Sequence, residues 1–134
     1  SVNGFIPTPT NGPYACAKHA VKALNQTLQQ ELRGTSINVT SVHPGGVKTN
    51  IARNSRAYDS QERHNERADQ FDKIAKTSAE KAAKVIINGI LKNRKRQLVG
   101  ADAKVIDILH RLFPQRFPDL IGFLHERALR KIDR

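Results

Sequence analysis

Tyr14 and Lys18 stand four residues apart in the run Tyr14-Ala-Cys-Ala-Lys18. In a helix that interval puts a phenol and an ammonium on one face, about one turn apart. A phenol is a poor acid or base near neutrality, but a fixed cation beside it stabilises the phenolate and lets the oxygen exchange a proton with a bound molecule. A hydroxyl, Ser1, lies thirteen residues before Tyr14, in a loop-like run rich in Gly, Pro and Thr that allows it to reach the same centre. The three groups together suit proton transfer to or from a bound molecule. A Tyr/Lys pair at this spacing is also common on helix surfaces, so its meaning depends on its setting.

The setting is a strand and a turn. Residues 37–43 alternate β-branched and polar side chains and stop at Pro44-Gly45-Gly46-Val47-Lys48-Thr49. Ligands of open α/β sheets sit beyond the carboxyl ends of strands, and two glycines let a backbone approach a cofactor closely. With Ser1, then Tyr14-x-x-x-Lys18, then a Pro-Gly turn after the next strand, the sequence resembles the classical short-chain dehydrogenase/reductase family. The resemblance covers most of the chain, strongly to about Thr49 and more loosely beyond. It implies Ser1, Tyr14 and Lys18 as catalytic residues. It implies that Tyr14, Lys18, Pro44, Gly45, Gly46, Val47 and Thr49 contact the cofactor, which would be NAD or NADP. The implied reaction is interconversion of an alcohol and a carbonyl by hydride transfer. In the family a glycine-rich turn, a ribose-selecting residue and an Asn-Ala-Gly segment all precede the catalytic serine. The expectation is therefore the C-terminal half of an enzyme, inactive alone, in which the choice between NAD and NADP is not readable.

The positioning elements follow from periodicity. Pro13 suits a first helical turn, and Ala17, Val21, Leu24, Leu28 and Leu32 mark an apolar stripe on a helix over residues 13–33 that Gly34 terminates. The polar stretch 50–76, with Tyr58, Phe71 and Ile74, is expected to be a mobile substrate lid with short helices. Thr77-Ser-Ala-Glu80 fits a capping box before a helix near 78–93 that is closed by the basic run Arg94-Lys95-Arg96. A short strand near 96–99 should lie parallel to the first. Residues 101–134 carry two helical patterns broken around Pro114 and Pro118. Val105, Ile108, Leu109 and Leu112 form one stripe, and Leu120, Ile121, Leu124, Leu129 and Ile132 much of another, with Phe113, Phe117 and Phe123 nearby. The expected fold is α/β, the C-terminal part of a doubly wound, Rossmann-type parallel sheet. Residues 1–100 would be the C-terminal half of a dinucleotide-binding catalytic domain, and 101–134 its helical extension.

Composition narrows the remaining choices. A chain of 134 residues that is 38% hydrophobic fills one modest core. Its single cysteine, Cys16, excludes an internal disulfide and reads as a small buried thiol. No long apolar run or leader is present, which makes the cytoplasm the default location. His43 reads as a structural residue, and His64 has no partners at metal spacing, so no metal is expected. The formal charge of +11 raises a second function class, a noncatalytic basic module on the same fold that binds RNA or an anionic membrane surface. With 5% aromatic residues and no nucleic-acid motif, nucleic acid is the weaker partner. The apolar stripes of the tail require a cover: the protein's own core and pocket, a second subunit of a homo-oligomer, or peripheral membrane contact aided by Arg116, Arg127, Arg130, Lys131 and Arg134. The same apolar tail suggests a lipophilic alcohol or carbonyl as the small-molecule substrate.

Overall fold

The computed structural model describes residues 1–56 and 60–132, with side chains as far as Arg127. Expectations resting on Tyr58, and on the side chains of Leu129, Arg130, Lys131, Ile132 and Arg134, fall outside the described residues.

After a 3-10 turn over Val2–Gly4, the chain forms α1 (Gly12–Glu31), β1 (Ser41–Pro44), β2 (Val47–Lys48), α2 (Gln61–Ile74), β3 (Thr77–Ser78), α3 (Ala79–Leu91), β4 (Arg96–Val99), α4 (Ala101–Leu112) and α5 (Arg116–Ile132). The strands β1 and β4 pair in parallel, with Ser41 opposite Arg96 and His43 opposite Leu98, as expected of strands joined by a helical crossover. A second parallel pair, Val47 with Thr77 and Lys48 with Ser78, ties the two ends of the segment between them together. Sequence periodicity does not reveal these two-residue strands. The first strand is also shorter than its β-branched run, because residues 37–40 lie outside the ladder and Ile37 is exposed.

Side chains alternate across a sheet, so Ser41, His43, Arg96 and Leu98 share one face and Val42, Gln97 and Val99 the other. The first face is covered by residues of the opening turn, by α1 and by α4; the second is covered by α3, where Gly89 lets the strand residue Gln97 pack closely. This α/β arrangement of parallel strands with helices on both faces is the one expected of a doubly wound sheet.

The centre of the core is a surprise. Residues 1–12, which read as a loop, supply Phe5 and Ile6, and these meet Phe117 from α5, with Leu98, Ile106, Leu109 and Ile121 around them. By contrast, several stripe residues face outward. Val21 and Leu24 on α1, Ile87, Ile90 and Leu91 on α3, Val105, Ile108 and Leu112 on α4, and Leu120, Phe123 and Leu124 on α5 are exposed. On α1 the buried residue is Ala15 and the face toward β1 is polar, with Asn25 bonded to Ser41 and Gln29 to the carbonyls of Val39 and Lys95. Cys16 is exposed as well, contrary to the buried thiol expected.

Two local readings shift. The cap of α3 is Ser78, whose hydroxyl accepts from Lys81 N–H at 3.2 Å, so the expected box starting at Thr77 is one residue early; Thr77 belongs to β3. The basic run after α3 does more than close the helix. Asn93 takes a left-handed conformation that ends the helix, and Arg96 enters β4, where its guanidinium stacks 4.9 Å from the Phe5 centroid and grips Asp107 with two bonds, 2.9 and 2.6 Å.

Arg111 adds a third bond to Asp107 at 3.1 Å. Burial raises the tendency of that carboxyl to stay protonated, but the hydrogen bonds and charges of Arg96 and Arg111 outweigh it and hold the group below the ordinary carboxylate range. Its stabilisation is therefore fully present above that ordinary range and is lost as pH falls through the lowered value. Asp107→Asn is expected to cost roughly 2 kcal/mol at neutral pH by urea unfolding and to flatten the acid limb of the stability curve. An unchanged midpoint would remove this role.

Candidate active site

Two hydrogen bonds and one packing contact set the direction of α1 against β1. Gln29 bonds the carbonyl of Val39, Asn25 bonds the hydroxyl of Ser41, and Lys18 lies by Gly4, which in turn lies by His43. Advancing along the strand thus means retreating along the helix, so α1 runs antiparallel to β1. Tyr14, one turn before Lys18, consequently stands at the carboxyl end of β1, where the glycine turn begins.

The helix starts as its residues dictate. Pro13 occupies the first turn, where a missing N–H leaves no bond unmade, and the Asn11 carbonyl accepts from Ala15 N–H at 2.8 Å. Tyr14 is about half exposed, at 47%, and Lys18 is partly buried with its Nζ 5.3 Å from the Tyr14 ring centroid. The spacing expected to place phenol and ammonium together does so. Ser1 is partly buried at the start of the 3-10 turn, and its Oγ accepts from Asn3 N–H at 3.1 Å. The structure brings the Ser1 segment onto α1 beside Lys18, while the serine hydroxyl itself is engaged with its own turn.

His43, read from the sequence as a structural residue, ties these parts together. It is 4% exposed, lies edge-on to Phe5 with centroids 5.5 Å apart, and bridges Ser41 Oγ at 3.0 Å and the Ser1 carbonyl at 3.3 Å. Asn25 donates to Ser41 Oγ at 3.2 Å. The donors run in one direction: Asn25 N–H to Ser41, Ser41 O–H to His43 Nε2, and His43 Nδ1–H to the Ser1 carbonyl. This order requires a neutral imidazole. Burial lowers the pKa of His43 from the ordinary imidazole value; the bond to Ser1 opposes that shift, and the charges of Arg96 and Lys22 assist it.

The turn after β1 is held from several sides. Gly45 N–H continues the ladder to Val99 O at 2.9 Å, Gly46 O accepts from Thr77 N–H at 3.3 Å, and Gly46 N–H donates to the Asp102 carboxylate at 2.6 Å. A side chain on Gly46 would come within 2.9 Å of Ala75 Cα. Val47 starts β2, and Thr49 is exposed with its hydroxyl accepting from Ile51 N–H at 3.4 Å. The 50–76 stretch contains the 14-residue helix α2, held to the post-turn segment by Arg53 bonds to Asp69 and Asp72 at 2.8 and 2.6 Å.

Residues 1–60 match the family model described as short chain dehydrogenase. The chain belongs to the short-chain dehydrogenase family. It is 38% identical over 125 residues to a Mycobacterium tuberculosis protein named as oxidoreductase SadH, an alignment that covers 91% of this chain and 45% of the relative. An oxidoreductase of Staphylococcus epidermidis is 49% identical over 37% of this chain and 21% of its own length. Dehydrogenase/reductase SDR family member 7B of Xenopus tropicalis is 40% identical over 41% of this chain and 18% of its own. This short-chain dehydrogenase sequence thus spans less than half the length of the curated relatives it matches. No solved structure matches. Among the described residues, no helix is long and apolar enough to cross a membrane, and no group of three potential metal-ligating side chains occurs.

Proposed function

We propose that the protein carrying these residues is an oxidoreductase that interconverts an alcohol and a carbonyl with NAD or NADP. The observation that carries this reading is the Tyr14 and Lys18 pair on one face of α1, toward the carboxyl end of β1, in a chain of this family. The residues present fit a nicotinamide nucleotide. Lys18 offers an ammonium that makes no ion pair among the described residues, and the glycine turn follows directly on the carboxyl end of β1. Lys18 would hold ribose hydroxyls, and Pro44, Gly45, Gly46, Val47 and Thr49 would line the ring end. The bound nicotinamide supplies or takes up the hydride. Tyr14 then gives its phenolic proton to the oxygen of the carbonyl being reduced, or takes the proton of the alcohol being oxidised. Ser1 donates a hydrogen bond to the substrate oxygen, which requires its hydroxyl to rotate its proton outward while still accepting from Asn3 N–H.

In this reading the pyrophosphate is bound by residues other than these 134, since no glycine-rich phosphate turn occurs among them. The exposed apolar faces of α4 and α5 support a lipophilic substrate and a homo-oligomer, and the one free thiol is in keeping with a cytoplasmic location. None of the relatives named above favours a noncatalytic module. The test is turnover of short and long aliphatic ketones by the full-length protein with NADH and with NADPH. Reduction with one of them, favouring the long ketones by about tenfold or more in kcat/KM, is expected. Equal specificity across chain length would remove the lipophilic preference, and no hydride transfer to any ketone or from any alcohol would remove the function.

A further inference from the structure

We propose that Asp102 is the positioning residue of the cofactor turn: its carboxylate, reaching out of the first turn of α4, holds Gly46 N–H and fills the space that Gly45 and Gly100 leave by lacking side chains. The role assigned to the turn rests on the function proposed above; the hydrogen bond and its packing do not.

Of the polar backbone groups at Gly45 and Gly46, two are met by the main chain. Gly45 N–H reaches Val99 O, and Gly46 O receives Thr77 N–H. Gly46 N–H has no strand partner and is met by Asp102 Oδ2, 56 positions later in the chain, at 2.6 Å. A bond from an amide to an ionised carboxylate is stronger than one between neutral groups, and here it ties the end of β1 to the start of α4.

The surrounding residues make room for this one group. A Cβ on Gly45 would overlap the Asp102 carboxylate from one side, and a Cβ on Gly100 would overlap it from another. Gly100 also has a φ of +100°, a conformation open to glycine, so the tight step from β4 into α4 and the space for the carboxylate come from the same residue. Asp102 lies at the amino end of α4, where the helix dipole favours a carboxylate, and α4 has no side-chain cap from Gly100. Two adjacent glycines have many accessible conformations, and a surface that must meet a flat ring needs one of them. Asp102 selects it.

The contacts of Asp102 are with the turn and with Gly100, so its loss should weaken cofactor binding more than turnover. For the full-length protein, Asp102→Ala is expected to raise the Kd for the nicotinamide cofactor about 10-fold while kcat at saturating cofactor falls less than about threefold. Asp102→Asn keeps an acceptor in the same place and should recover most of that affinity; it also serves as the comparison if the alanine variant does not fold. Gly45→Ala should weaken binding on its own, because its methyl group displaces the carboxylate, and should cost less in the Asp102→Ala background, where that methyl group has space. The same non-additivity should appear in urea unfolding. If the full-length protein bound neither NAD nor NADP, the proposed function and this role would both fall. If it bound cofactor and Asp102→Ala bound equally well, or if asparagine were no better than alanine, only the role of Asp102 would fall. Strictly additive effects of Gly45→Ala and Asp102→Ala would also overturn it.

Discussion

Tyr14→Phe in the full-length protein is expected to lower turnover at least ~100-fold while leaving cofactor affinity close to that of the unchanged protein. The substitution removes one oxygen and its proton and nothing else. The ring remains on the exposed start of α1, 5.3 Å from Lys18 Nζ, and its half exposure means that no buried contact is lost. Folding should therefore be unaffected, and any loss belongs to the chemistry. Lys18→Ala provides the contrast, since it removes the charge beside the phenol together with the ribose contact proposed above, and it should impair turnover and cofactor binding together. Stopped-flow turnover with a cofactor titration separates the two patterns. Near-normal turnover by Tyr14→Phe would exclude this tyrosine as the proton donor, whatever else the protein does.

What could be read in the sequence was whatever depended on near neighbours. The four-residue interval from Tyr14 to Lys18 fixes their separation in any helix, and Pro13 and Gly34 bracket that helix. The parallel pairing of β1 and β4 follows from the helices between them. Periodicity failed where it was asked which face is covered. The apolar positions of α1 are regular, yet Val21 and Leu24 point outward, because Asn25 and Gln29 bond to the strand region and so choose the face of contact. A polar contact of this kind leaves no periodic trace. The cap of α3 failed for a smaller reason: Thr77 and Ser78 are adjacent hydroxyls, and only the backbone decides that Ser78 is the one to cap.

The groups that hold the site in place were hidden by distance along the chain. His43 acts on Ser1 across 42 positions and Asp102 on Gly46 across 56, and neither residue type announces such a partner. Phe5 and Ile6 were hidden by their company, since Pro7 and Pro9 make their surroundings look like a loop even though both side chains are buried. A weak clue was present for His43. A histidine placed two residues after Ser41 on a strand shares its face, and a hydroxyl there can bond the ring as donor or acceptor; the Ser1 carbonyl, by taking Nδ1–H, leaves Nε2 of the neutral ring to accept.

That dependence on a neutral ring makes His43 sensitive to pH. Its pKa is lowered chiefly by burial, against the bond to the Ser1 carbonyl and with help from the Arg96 and Lys22 charges, while the unfolded chain binds a proton at the ordinary value near ~6.5. Below that value the unfolded state holds more protons than the folded one, so stability is fully present above it and declines as pH falls toward the folded pKa. Protonation would also give Ser41 a donor where it needs an acceptor, whereas the bond to the Ser1 carbonyl favours the charged ring. His43→Ala is expected to cost roughly 3 kcal/mol, because it leaves a void beside Phe5 and strands both the Ser41 hydroxyl and the Ser1 carbonyl. His43→Asn can place a donor near the Nδ1 position and keep the Ser1 bond while losing the Ser41 bond. It should therefore retain more turnover than His43→Gln, which reaches toward Ser41 instead. Urea unfolding of the unchanged protein and His43→Asn between pH 7.5 and 5.5, set beside turnover of the Asn and Gln variants, tests both parts. Parallel pH curves for the two proteins would show that His43 does not govern the acid limb, and equal turnover by Asn and Gln would show that the bond to Ser1 does not matter for catalysis.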